Sequence, residues 1–103
     1  MKIKIEVLGL PALAEALEKR ETELDVPGGT ATAGDVIEHL IREVGPSVRA
    51  ALYGERGSLD PTIQIALNGR TFISSDRLDT PLKEGDTLTF MLLMAGGGRG
   101  VRP

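Results

Sequence analysis

The sequence predicts an α+β domain in which one principal helix packs across one face of a sheet. Three observations lead there. Both ends of the chain carry segments that alternate polar and apolar residues, "KIKIEVLG" at the start and "DTLTFMLLM" near the end. Only one stretch, "TATAGDVIEHLIREVGP", carries a sustained helical stripe. That stretch lies between two groups of strands, so the order is strand, short helix, strand, long helix, strand, strand.

The first strand places Ile3, Ile5 and Val7 on one face and Lys2, Lys4 and Glu6 on the other. Period-two alternation with β-branched residues marks a half-buried strand. After Gly9, Leu10, Leu13, Ala14 and Leu17 fall at helical spacing, with Pro11 at a first-turn position. "TELDVPGG" returns to alternation, with Leu24 and Val26 inward, and closes in a Pro-Gly-Gly turn. Whether this strand pairs with the first or is only bridged to it by the helix stays open.

The main helix begins at Thr30 or Thr32, either of which can cap it, with Asp35 three residues after Thr32. Val36, Ile37, Leu40, Ile41 and Val44 form its apolar stripe, and Gly45–Pro46 stops it. "SVRAALYGERGSLDP" reads as a second short helical turn and a loop. "TIQIALNG" is a strand with Ile63, Ile65 and Leu67 inward. Asn68–Gly69 is a tight-turn signal, from which "RTFIS" leads away. A turn at Glu84–Gly85–Asp86 then opens the last strand, with Leu88, Phe90 and Leu92 on one face.

With 103 residues, 41% hydrophobic and 26% charged, the chain is one globular domain. A domain of this size buries roughly 60 to 68% of its unfolded surface and needs no staples. The absence of cysteine excludes disulfides, thiolate metal sites and a cysteine nucleophile. No apolar run is long enough to span a membrane, and the N-terminus has no signal-peptide pattern. A net charge of −3, one tyrosine and no tryptophan give neither a basic stripe nor a stacking platform for nucleic acid. A cytoplasmic protein without nucleic-acid or membrane partners is expected.

No catalytic constellation emerges. His39, the lone histidine, lies off the stripe of the main helix and reads as a solvated residue, with no partner to make it a base. Glu21, Glu23, Asp76 and Asp79 fall on strand exteriors or in turns, where charge is normally solvated. "GGGRG" is not a phosphate loop, because such loops precede a helix whose amides face the anion. The chain is expected not to be an enzyme, and no metal site is expected.

The apolar run 88–94 passes straight into Gly96, Gly97 and Gly98, followed by a short basic tail. Two readings stand. One is an ordinary frayed terminus. In the other, glycines without Cβ atoms form a thin stalk that carries a terminal carboxylate through a narrow tunnel into another protein's active site.

The stretch "LNGRTFISSDRLDTPLKEGDTLTFMLLMAGG" combines a strand before an Asn turn, the "TPLKEGD" turn, an apolar last strand and Ala95–Gly96–Gly97. In that order the chain, over essentially residues 1 to 97, resembles the ubiquitin-like β-grasp sulfur carriers of the MoaD and ThiS kind. The resemblance implies a β-grasp domain over residues 1–95, with a mixed sheet of four to five strands and one main helix, followed by a flexible glycine-rich tail over 96–103. It also implies a carrier whose terminal glycine is adenylated by an E1-like enzyme and then bears sulfur as a thiocarboxylate, for molybdopterin-type or other metabolite biosynthesis. Gly97 is the implied acyl glycine, with Gly98 its rival and Gly96 beside it in the tunnel. Nothing is held as a cofactor, and ATP is used by the activating partner. Leu8, Phe72 and Met91 match the apolar patch gripped by that partner, with ordinary rim packing as the alternative reading.

The tail departs from the family pattern, in which the mature chain ends at Gly-Gly. A peptide carbonyl has no free oxyanion to attack ATP, so trimming after Gly97 or Gly98 is expected, by a zinc-dependent JAMM-type peptidase. The carrier would hand its sulfur to an acceptor enzyme. In the alternative, the same activated glycine is conjugated to lysines of target proteins.

Overall fold

The computed structural model of the chain describes residues 1–54, 57 and 59–92. Gly96, Gly97, Gly98 and the expected boundary after residue 95 lie outside the described residues. The elements run β1 (Lys2–Leu8), α1 (Pro11–Leu17), β2 (Glu21–Asp25), β3 (Ala31–Thr32), α2 (Ala33–Val44), α3 (Pro46–Tyr53), β4 (Ile63–Leu67), β5 (Thr71–Ile73), β6 (Pro81–Leu82) and β7 (Thr87–Leu92). Five strands form one sheet in the order β2-β1-β7-β4-β5, and β3 and β6 form a small separate ladder. The first and last strands are parallel neighbours in the sheet, and its other pairs are antiparallel. This is the mixed α+β arrangement expected from the sequence.

Alternation decides the faces. Ile3, Ile5, Val7, Ile63, Ile65, Leu88 and Phe90 all point to the helix side and are buried. They meet Val36, Ile37 and Leu40 of α2, Leu13 of α1, and Val48 and Leu52 of α3 in one core. Full burial of such a side chain stabilises by about 1.5–3 kcal/mol relative to exposure, so this shared face fixes the register of every strand. β1 and β2 pair directly, with α1 inserted in their connection.

Thr32, not Thr30, caps α2. Its hydroxyl accepts from Asp35 N at 3.1 Å, and the Asp35 carboxylate accepts from Thr32 N at 3.0 Å. This reciprocal capping box satisfies two donors that the helix start would leave open. At the other end Gly45 takes φ 122°, a conformation few L-residues adopt, and Pro46 begins α3 at once. The expected short turn is therefore an eight-residue helix that buries Val48, Leu52 and Tyr53. Because the chain turns away at Gly45, Val44 at the end of the expected stripe is 40% exposed. Leu92 stays in register with the inward set, opposite Ile63, but lies at the rim of the sheet.

The Asn68 and Asp86 turns meet in space. Asn68 Nδ2 donates to Asp86 Oδ1 at 3.0 Å, and Asn68 Oδ1 accepts from Thr87 N at 2.8 Å. Positive φ at Asn68 (54°) and Gly69 (70°) forms the hairpin turn the dipeptide predicts. These bonds tie the start of β7 to the end of β4 and seal that end of the sheet with polar groups.

Candidate functional site

The face of the sheet turned away from the helices carries the residues out of phase with the core. Its register is read directly from the strand pairing. Leu8, Met91 and Gln64 stand side by side on β1, β7 and β4. In the next row Glu21, Glu6, Thr89, Ala66 and Phe72 cross all five strands. Leu8 is 55% exposed and Phe72 61%, whereas Met91 is half-buried between its neighbours. All three expected patch residues thus lie on one face, and Leu8 and Met91 are direct neighbours. Phe72 stands on the edge strand two strands away from Met91, with buried Ala66 beside it.

The same face changes chemistry from one side to the other. On the β1–β2 side, Lys4 Nζ meets Glu21 Oε2 at 3.0 Å and Lys2 Nζ meets Glu23 Oε1 at 3.9 Å. The hydrogen bond from Lys4 holds the Glu21 carboxyl below its ordinary range and raises the Lys4 ammonium above its own. Thr89 Oγ1 donates to Glu6 Oε1 at 2.9 Å, and this bond closes the ionic half. Beyond Glu6 and Thr89 the face is apolar or neutral: Leu8, Met91, Ala66, Phe72 and Gln64. Glu6, Ala66 and Thr89 are the residues that sequence reasoning missed. Period two places them outward, but only the register makes them neighbours.

The described part of the sheet ends beside this apolar half. β7 lies between β1 and β4, and its last residue, Leu92, pairs with Ile63 one step beyond the Leu8–Met91 pair. Anything attached to Leu92 therefore starts from a strand held on both sides. Two shallow grooves lie on either side of this end of β7. One, of about 210 Å³, lies between Val7, Leu10, Pro11 and Arg20. The other, of about 220 Å³, lies between Pro61, Phe72 and Ser74.

Among the described residues no group of His, Asp and Glu is arranged to hold a metal ion. His39 sits half-buried on α2, on the helix side of the molecule and away from this face. No helix among the described residues is long and apolar enough to cross a membrane.

The model of the ThiS family matches residues 10–97. The chain belongs to the ThiS family. Among solved structures this ThiS-family chain is similar to the small archaeal modifier protein SAMP1 from Haloferax volcanii. The TM-score is 0.71 at 26% identity, covering 94% of this chain and 100% of that one. It is also similar to a putative molybdopterin converting factor, subunit 1, from Pyrococcus furiosus, with a TM-score of 0.65 at 26% identity, covering 89% and 97%. SAMP1 from Methanosarcina acetivorans, at 24% identity and a TM-score of 0.66 over 93% and 96%, shares the fold. No curated protein sequence matches the chain. The fold is the ubiquitin-like β-grasp, and the family is one of small carriers and modifiers.

Proposed function

We propose that this protein carries sulfur on its Gly97 carboxyl group after residues 98–103 have been removed. The family match ends at Gly97, and this observation carries the choice of Gly97 over Gly98. An E1-like enzyme binds the apolar half of the outer face through Leu8, Met91 and Phe72 and receives the chain that leaves beside them. The freed carboxylate oxygen attacks the α-phosphorus of ATP, pyrophosphate departs, and an acyl-adenylate forms. Hydrosulfide, at the oxidation level of sulfide, then displaces AMP at the carbonyl carbon and gives up its proton, and the product is a thiocarboxylate. Glycine suits both displacements, because no Cβ crowds the carbonyl. The carrier itself holds no cofactor and supplies no catalytic group; ATP belongs to the partner. An acceptor enzyme takes the sulfur, and a peptidase, of the zinc-dependent JAMM type, trims the precursor.

A second reading rests on the likeness to proteins named as small archaeal modifiers. Here a neutral lysine amine of a target protein attacks the same acyl-adenylate, AMP leaves, and an isopeptide bond forms. Mass spectrometry of the protein from its native cell separates the two. A chain ending at Gly97 with one oxygen replaced by sulfur supports the carrier, and ladders of larger conjugates ending in Gly97 support the modifier. Recovery of the 103-residue chain alone, with neither, contradicts both.

A further inference from the structure

Among the described residues the two edge strands of the sheet, β2 and β5, are chemically opposite. β2 carries Glu21, Glu23 and Asp25, all exposed, along its length. Pairing this edge with itself would set carboxylates against carboxylates, a common device against edge-to-edge association. β5, at the other edge, reads Thr71–Phe72–Ile73, with no charge and no proline, and carries the most exposed large hydrophobic side chain among the described residues. Nothing among the described residues pairs with its outer side.

We propose that β5 is a self-association edge, on which two copies of this chain pair antiparallel about a twofold axis at Phe72. In that register each Phe72 stands opposite its equivalent, and Thr71 stands opposite the second copy's Ile73. The two sheets continue as one, and the two aromatic rings cover each other, as cross-strand aromatic pairs do. Charge favours this direction. Arg70 precedes β5, whereas Asp76, Arg77 and Asp79, all exposed, follow it and sum to one negative charge. Antiparallel pairing brings the positive end of each copy to the negative end of the other, twice by symmetry. A parallel pairing would set like ends together. β5 has only three residues, so the association is weak and reversible.

The consequence rests on the proposed function: Phe72 belongs to the surface assigned to the activating enzyme, so pairing and loading compete for it. A carrier at high concentration is thereby held out of the loading reaction. The pairing itself needs no enzyme and is tested without one.

Sedimentation equilibrium of the 103-residue chain, taken up to about 1 mM, reads the dissociation constant. Phe72→Asp is expected to raise that constant at least about tenfold. Arg70→Asp and Asp76→Arg, each alone, are expected to weaken the dimer roughly fivefold or more, because each homodimer then carries two like-charge contacts. Mixing the two variants restores both opposite-charge contacts, so the mixture is expected to dimerise like the wild type. A wild type that stays monomeric across the range overturns the proposal, as does a mixture no tighter than either variant alone. Failure of Gly97 to load, with the dimer intact, counts against the functional reading and leaves the edge standing.

Discussion

Leu8 and Met91 stand directly opposite each other on the parallel neighbours β1 and β7, one residue before the last described residue of the sheet. The pair places exposed apolar surface beside Leu92, the last described residue of β7, on the side assigned above to the activating enzyme. Leu8→Asp is expected to lower the rate of adenylation by the E1-like enzyme about tenfold or more. Leu8 is 55% exposed, so unfolding stability should stay within about 0.5 kcal/mol of the parent. Pyrophosphate exchange and thermal melts on the same samples check this. A variant that loads normally removes Leu8 from the interface.

The Thr32–Asp35 capping box makes α2 sensitive to a single hydroxyl. Thr32→Ala should cost about 1 kcal/mol. For a domain of this size that lowers Tm by roughly 4–8 °C, read by calorimetry. Thr30→Ala, outside the box, should leave Tm nearly unchanged. Equal effects at both positions would contradict the assigned cap.

Glu18 ends α1 with φ 62°, a left-handed conformation that L-residues other than Asn and Asp rarely hold. Its N–H reaches Glu15 O, and Lys19 N–H reaches Ala14 O, so the backbone there is fixed by hydrogen bonds. Glu18→Gly should therefore stabilise the protein by up to about 1 kcal/mol, the opposite of the usual glycine effect. Chemical denaturation is the check, and a loss of stability would show that the strain is absent.

The Lys4–Glu21 bond sets the direction of one pH effect. Glu21 titrates below its ordinary value of 4.5 because Lys4 donates to it. Its contribution is therefore present above that ordinary value and lost as pH falls through the lower folded value. Lys4 titrates above 10.5, so its share is present below that value and lost as pH rises through the higher folded one. NMR titration of Glu21 should move back toward the ordinary value in Lys4→Met. An unchanged Glu21 midpoint would mean that the pair is not formed in solution.

Much of this architecture is legible in the sequence, because elements that face the core on one side print their period on it. β1 is one such element, with Ile3, Ile5 and Val7 buried as the alternation requires, and α2 is another. The β3–β6 ladder has two residues in each strand, too few to show any period. α3 is legible only as a short turn, because Pro46, which reads as a stop for α2, is also the first residue of the next helix. Leu8, Phe72 and Met91 are legible as outward residues because they fall out of phase with the buried set. The Thr89–Glu6 bond and the place of Ala66 beside Phe72 depend on register between distant strands, which local pattern does not carry. Gly96, Gly97 and Gly98 lie outside the described residues, so their role is a matter for chemistry.

The most direct test compares two chains, residues 1–97 and residues 1–103, each incubated with the E1-like enzyme, ATP and a sulfur donor, and weighed by intact-mass spectrometry. Only the chain ending at Gly97 is expected to exchange an oxygen for sulfur. Equal loading of both chains, or loading of the longer one alone, would contradict this expectation.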